Sequence, residues 1–267
     1  MASKKKVVII GSRKDDATRF VAEAVERRRA RAIVVETDRV PDSVTLSWED
    51  GDVLWDGECL SDLRSFYIKA IRLSLPVPEA EALSARNFPR WQEQYLAERE
   101  RQSLLHSILR SLNRRGCSFI NPMEAVELHG GALVQKIGEA DLTEERMALL
   151  ANCPVLFQQQ IQGDEFRAYV LDGEPVAAFR IPTEGVVDAR QNLDKVKPGR
   201  LPKEAWELCI RGAKALGMVF TAVDLRRTPE GAFVALEFNP TPAISFFDDP
   251  RDGKVITRLS SYLVAKA

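Results

Sequence analysis

Hydrophobic positions come as short blocks at the start of the chain and as alternating runs toward its end. Val7-Val8-Ile9-Ile10 is a continuous apolar block that stops at Gly11-Ser12, the pattern of a buried strand leaving into a loop. Phe20, Val21, Ala24 and Val25 recur at helical spacing behind Asp15 and Asp16, either of which suits an N-cap. Ala32-Ile33-Val34-Val35 is a second block, so the chain opens strand–helix–strand and predicts an α/β unit with a parallel pair. Val44 to Trp48 and Val53 to Trp55 read as short strands around the turn residues Asp50-Gly51-Asp52, and Ser65 to Ile68 as another. Pro76 and Pro78 break the pattern. From Ser84 to Arg115 the spacing turns helical and strongly charged, with Trp91, Tyr95, Leu104, Leu105, Ile108, Leu109 and Leu112 as its apolar stripe and Gly116 as its stop. Cys117 to Ile120 is a short strand ending at Asn121-Pro122.

The region from Met123 to Asn152 is less regular. It holds Gly130-Gly131, a short strand Ala132-Leu133-Val134 leading to Lys136, and a helix over Leu142 to Leu150 with Thr143 as its cap. Beyond it the pattern sharpens. Val155 to Gln159 reads as a strand. Phe166 to Leu171, the turn Asp172-Gly173 and Val176 to Ile181 read as a β-hairpin. Asp188 to Pro198 is a polar loop, and Pro202 to Leu216 an amphipathic helix closed by Gly217. Met218 to Leu225 and Phe233 to Phe238 are two more strands, and a last helix runs from about Val255 to Val264. The fold class is therefore α/β (α+β). An N-terminal α/β domain over 1–122 carries a long charged helix, a short central segment spans 123–153, and a C-terminal part over 154–267 has an antiparallel sheet and flanking helices.

Composition narrows the chemistry. The 267 residues are 45% hydrophobic and 29% charged, which is globular and leaves room for one or two cores. With 38 Lys plus Arg against 39 Asp plus Glu the net charge is −1, so no bulk field favours nucleic acid or an anionic membrane. No apolar run approaches the roughly 20 residues of a membrane helix, and the block after Lys4-Lys5-Lys6 is too short for a signal peptide. Cys59, Cys117, Cys153 and Cys209 are far apart, which fits a reducing cytoplasm. Two histidines, His106 and His129, with no close cysteines argue against zinc and against Ser-His or Cys-His catalysis. Chemistry must rest on carboxylates, amides, Lys, Arg or a hard cation.

Two groups of residues meet that description. Asp224 ends one C-terminal strand, and Glu237 and Asn239 end the next, two residues apart and hence on one face. On antiparallel neighbours the three form an all-oxygen set suited to Mg²⁺; the same residues also fit an ordinary polar strand end. Arg167 and Arg180 lie on the hairpin, and Arg190 and Asn192 in the loop after it. Three arginines leaving one sheet can hold a phosphate or carboxylate; singly, each also fits a solvated face paired with Asp164, Glu165 or Asp188. Gly11-Ser12-Arg13-Lys14 lacks the ending of a Walker loop.

Phe157-Gln158-Gln159, Gly163-Asp164-Glu165-Phe166-Arg167, Arg180, Arg190-Gln191-Asn192, Asp224 and Glu237-Phe238-Asn239-Pro240 follow one another in that order. The order resembles the C-terminal half of ATP-grasp ligases, above all the branch of ribosomal-protein glutamate ligases and related peptide-modifying ligases. The stretch from Pro154 to about Asp248 carries the resemblance, a little over a third of the chain. Asn152 to Gln158, with Glu237 to Pro242, is also similar to the ATP-grasp protein of the bacterial gene cluster called the GAK system. The first 120 residues resemble the family's N-terminal α/β domain in layout.

The resemblance implies ATP and Mg²⁺ as cofactors. Asp224, Glu237 and Asn239 would hold Mg²⁺. Arg167 would contact the transferring phosphoryl group, and Arg190 and Asn192 the substrate or phosphates. Gln158, Gln159 and Ile161 would form the adenine-side hinge, and Lys136 and Arg180 would reach the nucleotide. The implied reaction activates a carboxylate as an acyl phosphate that an amine attacks, with a small-molecule or peptide acceptor carrying a carboxylate. Two departures stand out. Only about 30 residues separate Pro122 from Pro154, so the lobe and glycine flap that cover ATP are truncated, and a homo-oligomer or partner protein could complete the lid. Gln159 replaces the usual hinge Glu. The alternative reading is a non-catalytic ATP-grasp relative that senses nucleotide or binds a partner; a third is a structural subunit with a merely polar cluster. Two further expectations follow: the three arginines converge on the metal cluster, and Arg167→Ala abolishes turnover with stability nearly unchanged.

Overall fold

Four parallel strands organise the first half of the molecule: β1 (Lys6–Ile10), β2 (Arg31–Val35), β6 (Ser65–Ile68) and β7 (Ser118–Ile120), in the order β2-β1-β6-β7. The computed structural model describes residues 4–40, 43–71, 88–126, 137–149, 156–183 and 189–267. Helix α1 (Asp16–Arg27) follows β1; of the two aspartates at its start, Asp15 is the cap, its carboxylate accepting from the Thr18 backbone N–H at 2.9 Å. A small antiparallel sheet of β3 (Leu46–Glu49), β4 (Asp52–Trp55) and β5 (Glu58–Cys59) leans on this half. Its two-residue strand β5 is too short to leave a periodic signal. Helix α2 (Phe88–Arg114) ends as expected before Gly116, which sits at φ +85°. Leu105, Ile108, Leu109 and Leu112 of its stripe are buried, whereas Leu104 faces solvent and Trp91 and Tyr95 stack on each other at 5.3 Å.

Period two in β1 divides the core. Val8 and Ile10 pack with α2 and β4, while Val7 and Ile9 pack with α1 and the C-terminal helix α6 (Lys254–Lys266). The second sheet is antiparallel, with β8 (Asp164–Leu171), β9 (Glu174–Ile181), β10 (Lys197–Pro198), β11 (Phe220–Arg227) and β12 (Phe233–Asn239) in the order β10-β9-β8-β11-β12. Asp172 and Gly173 both have positive φ, the primed turn that Asp-Gly favours between β8 and β9. One face of this sheet buries Tyr169, Leu171, Phe179, Phe220 and Ala222 in the same core as Val7 and Ile9, with α6 wedged between the sheets. The opposite face packs Phe166, Ala168, Val223 and Leu225 on α5 (Lys203–Ala215). A short helix α3 (Met123–Val126) follows β7, and α4 (Glu144–Leu149) follows a 3₁₀ turn at Glu139–Asp141.

One strand expected from the sequence does not form. Residues 156–162 have no strand character, and Leu156 and Phe157 are 87% and 56% exposed. The reason is register: β11 ends at Arg227 opposite Asp164, and β9 ends at Ile181 opposite Glu165, so no strand edge remains for the preceding residues to pair with. The stretch 189–195 is wound into 3₁₀ turns on either side of a kink at Asn192, instead of an open loop. The expected strand 132–134, Lys136, His129 and Cys153 lie outside the described residues.

Asn121 joins the two sheets. It is fully buried at the end of β7; its amide nitrogen donates to Phe220 O at 2.5 Å and Pro240 O at 2.6 Å, and its oxygen accepts from Val219 N at 2.7 Å and Phe220 N at 2.8 Å. Lys69, just past β6, adds a hydrogen bond from its ammonium to Thr241 O at 2.9 Å. Together they press the end of β12 against the carboxyl ends of the first sheet. Asn121→Ala leaves these backbone groups buried without partners, so it is expected to cost about 3 kcal/mol or more of stability at about 1–3 kcal/mol per unsatisfied group. Urea denaturation of the variant beside wild type measures it; a loss under 1 kcal/mol would show that the two sheets are held by packing alone.

Candidate active site

Charged side chains line one row of the second sheet. Arg167 on β8 stands opposite Asp224 on β11, and Asp224 stands opposite Glu237 on β12. The three belong to adjacent strands and project from the same face, which is the face shared with Tyr169 and Phe179. Arg167 Nη1 donates to both Asp224 oxygens, at 2.9 and 3.2 Å. Asn239, two residues beyond Glu237 and 8% exposed, donates its amide N–H to Asp224 Oδ2 at 2.9 Å. Asp224, Glu237 and Asn239 are thus on one face, as period two requires. The register of β11 and β12 shifts just past Asp224, a bulge after which the ladder resumes at Leu225–Ala235.

The guanidinium of Arg167 is sandwiched. Its central carbon lies 4.7 Å from the centre of the Phe247 ring and 5.9 Å from that of Tyr169. The Tyr169 hydroxyl in turn donates to the Ala243 carbonyl. Burial alone would lower the arginine pKa, but Asp224, Tyr169 and Glu237 hold it above its ordinary value, so the charge is permanent. Burial pushes the Tyr169 hydroxyl above the normal tyrosine range. Arg167 Nε is buried without a hydrogen-bond partner, an orphan donor in a site of fixed positive charge.

The other expected site residues divide. Arg180 does not join the cluster. It stands opposite Phe166, hence on the α5 face, where its guanidinium pairs with Asp164 at 2.9 Å and is exposed. A single register step separates it from Phe179, which shares the Arg167 face, so the expected convergence of arginines fails by one residue. Arg190 lies in the 3₁₀ helix Ala189–Lys195, but its side chain is outside the described set. Asn192 is 5% exposed and engaged within its own loop: its amide donates to Pro182 O at 2.8 Å and accepts from Lys195 Nζ at 2.9 Å. Gln158 and Gln159 are exposed, and Ile161 is half-buried with its carbonyl turned to Arg226.

Sequence reasoning passed over Tyr169, Phe247 and Arg226 as site residues. Arg226 had a legible signal, since it is two residues from Asp224 on a strand and must share its face. Phe247 had none, because it reaches the site from the loop after β12.

The donor set fits a hard divalent cation. Asp224 and Glu237 are direct cross-strand neighbours, and Asn239 supplies an amide on the same face. Among the described residues no three His, Cys, Asp or Glu side chains gather as metal ligands; a cation held by Asp224, Glu237 and Asn239 would have to displace the bonds that Arg167 and the Asn239 N–H make to the Asp224 oxygens. Oxygen donors of this kind leave coordination positions to water and phosphate, as Mg²⁺ requires.

No family model and no curated protein matches the chain. Solved structures do. The ATP-grasp ligase PsnB complexed with minimal precursor, Mg and ADP is 23% identical, with a TM-score of 0.81 over 100% of this chain and 99% of that one. A RiPP-associated ATP-grasp ligase of Chryseobacterium gregarium, in complex with ADP and a leader and core peptide, is 16% identical, with a TM-score of 0.77 over 99% and 98%. The macrocyclase MdnC of Microcystis aeruginosa MRC, bound with precursor peptide MdnA, is 16% identical, with a TM-score of 0.76 over 98% and 100%. The chain therefore has the fold of ATP-grasp ligases over its whole length. Among the described residues no helix is long and apolar enough to cross a membrane.

Proposed function

We propose that the protein is an ATP- and Mg²⁺-dependent carboxylate–amine ligase that acts on a peptide. The observation that carries this reading is the row Arg167–Asp224–Glu237 across three adjacent strands, with Asn239 two residues on. It supplies carboxylates for a cation and a permanent guanidinium charge beside them, on the fold of ligases solved with a precursor or a leader and core peptide, two of them with ADP and one with Mg. Those chains are matched over nearly their entire length, so the short segment 123–153 does not by itself favour the non-catalytic alternative.

The residues act as follows. Asp224, Glu237 and Asn239 hold the metal; when bound, Mg²⁺ neutralises the terminal phosphates of ATP. Arg167 sits against Asp224, and its permanent charge is the one assigned to the transferring phosphoryl group. A substrate carboxylate attacks the γ-phosphorus, ADP leaves, and an amine then displaces phosphate from the acyl phosphate to form an amide. Stabilising charge on the moving phosphoryl group by preorganised donors is the main catalytic device available to such a site. Residues 156–162 form the adenine side, with Ile161 as the hinge. Gln158 and Gln159 extend that side, while Lys136 is assigned to the phosphates and Arg190 to the substrate or phosphates.

Calorimetry of ADP binding with and without Mg²⁺, followed by phosphate release from ATP with peptide acceptors, tests the reading. Asn239→Ala is expected to weaken Mg-ADP at least tenfold, to affect metal-free ADP little, and to remain folded with the loss of one hydrogen bond to a charged group, about 1.5–3 kcal/mol. Binding of Mg-ADP with no acceptor-dependent release would establish the non-catalytic alternative. No Mg²⁺ dependence at all would sink the metal assignment.

A further inference from the structure

The face that carries Arg167 and Asp224 carries a second ion pair. Glu165 on β8 stands opposite Arg226 on β11, each two residues from a member of the first pair. Charges alternate along both strands, Glu165 then Arg167 and Asp224 then Arg226, so every charge has an opposite one across the ladder and along it. Arg226 Nη2 meets Glu165 Oε2 at 2.5 Å, with side chains only 9% and 14% exposed. The other arm of the fork leaves the sheet: Arg226 Nη1 donates to the Ile161 carbonyl at 3.1 Å.

That second contact is unusual in what it joins. Residues 156–162 lie beyond the ends of β11 and β9 and have no ladder to fix them. Burying a guanidinium in a sheet is costly, and here Nη1 and Nη2 are bonded while Nε is buried without a partner. A hydrophobic residue would serve packing better. An arginine's planar fork can hold two acceptors in different elements at once, which neither a hydrophobic side chain nor a flexible ammonium does as rigidly. The strand that ends the fork at Arg226 also carries Asp224, two residues away.

We infer that Arg226, braced by Glu165, is a positioning residue for the nucleotide. It sets the adenine-side segment at a fixed distance from the strand that bears the metal carboxylate. The inference rests on the reading given under Proposed function, since it takes residues 156–162 as the adenine side. ATP has to reach both places at once, so a loose segment weakens nucleotide binding before it touches the chemistry. Charge alone does not perform the task, because Glu165 already balances the charge; the bond to Ile161 performs it.

Two readouts separate the tether from the site. Limited chymotryptic cleavage at the exposed Leu156 and Phe157 of the ligand-free protein reports the segment directly. Arg226→Met is expected to speed cleavage there at least tenfold, with the rest of the chain no more sensitive than in wild type. Calorimetry reports the consequence. Arg226→Met is expected to weaken ADP about tenfold with or without Mg²⁺ and to raise KM for ATP in proportion, while kcat at saturating ATP stays within about threefold. Arg226→Lys, which keeps a donor near Ile161, recovers part of the affinity. If Arg226→Met fails to fold because Glu165 is left buried, the double variant Glu165→Gln/Arg226→Met removes both charges and takes its place. Unchanged cleavage at Leu156 and Phe157 would overturn the tether even if nucleotide binds. Faster cleavage with unaltered ADP affinity would overturn the positioning role. Wild type that binds no ADP would overturn the function proposed above and, with it, this role, while the cleavage result would still judge the tether.

Discussion

Arg167→Ala loses about 3–5 kcal/mol of stability and about 10²-fold or more of ATP turnover. The second loss is the one the sequence predicts; the first is not, and it reverses the expectation that the arginine can be removed without harm to the fold. Arg167 and Asp224 are 12% and 15% exposed and bonded at 2.9 Å. Truncating the arginine leaves the carboxylate of Asp224 in that environment with the Asn239 amide as its remaining donor from this cluster, and strips a cation from between Phe247 and Tyr169. The loss of the paired cation beside a largely buried carboxylate dominates such an outcome, not the worth of the bond itself. The variant Arg167→Met/Asp224→Asn removes both charges at similar volume, so it should recover most of the stability and none of the turnover. Urea denaturation of the single and double variants measures the difference. Mg²⁺ should raise the stability of Arg167→Ala more than that of wild type, because in wild type the guanidinium already holds the Asp224 oxygens that the cation needs. An ion at 100 times its Kd adds about 2.7 kcal/mol. Equal stability of wild type and Arg167→Ala would show that the pair is not formed in solution. No rescue by Mg²⁺ would remove Asp224 from the ligand set.

The elements that reading the sequence captured are those whose burial is periodic and local. Strand β1, helix α1, the hairpin of β8 and β9, helix α5 and the last helix each carry their own signal, because one face of each meets a core and the caps or turns are encoded within a few residues. The cross-strand row was legible for the same reason. Asp224, Glu237 and Asn239 share a face by period two, and antiparallel pairing of β11 with β12 follows from the short turn between them. What failed needed register beyond the local turn. An unbroken two-residue hairpin would set Arg180 opposite Glu165, on the Arg167 face; the bulge at Tyr169–Val170 sets it opposite Phe166 instead, on the α5 side. The apolar run at Leu156 and Phe157 reads as a strand until β11 and β9 end before reaching it. Asn121 shows the other blind spot: four hydrogen bonds to residues about 100 positions away in sequence, from a side chain that looks like a turn residue before Pro122.

Gly163 draws these threads together, and its replacement by alanine should cost about 3 kcal/mol or more. It sits at φ +126°, between residues 156–162 and Asp164, the first residue of β8. A Cβ built there would lie 1.7 Å from the carbonyl oxygen of Arg227 and 2.8 Å from its carbon, both backbone atoms that cannot rotate away. The strained φ contributes about 1–3 kcal/mol, and the overlap adds a comparable amount through backbone displacement. The displacement would fall on the Asp164–Arg227 pair that starts the β8–β11 ladder, next to Glu165 and Arg226. Affinity for ADP should therefore drop with stability. Gly173→Ala is the control: it too has positive φ, at +76°, but nothing lies within 4 Å of the added Cβ, so only the conformational part remains. Thermal or urea unfolding of both variants gives the comparison. If Gly163→Ala proves no worse than Gly173→Ala, the close approach to Arg227 is not maintained in solution, and the glycine of the Gly-Asp-Glu stretch serves its turn alone.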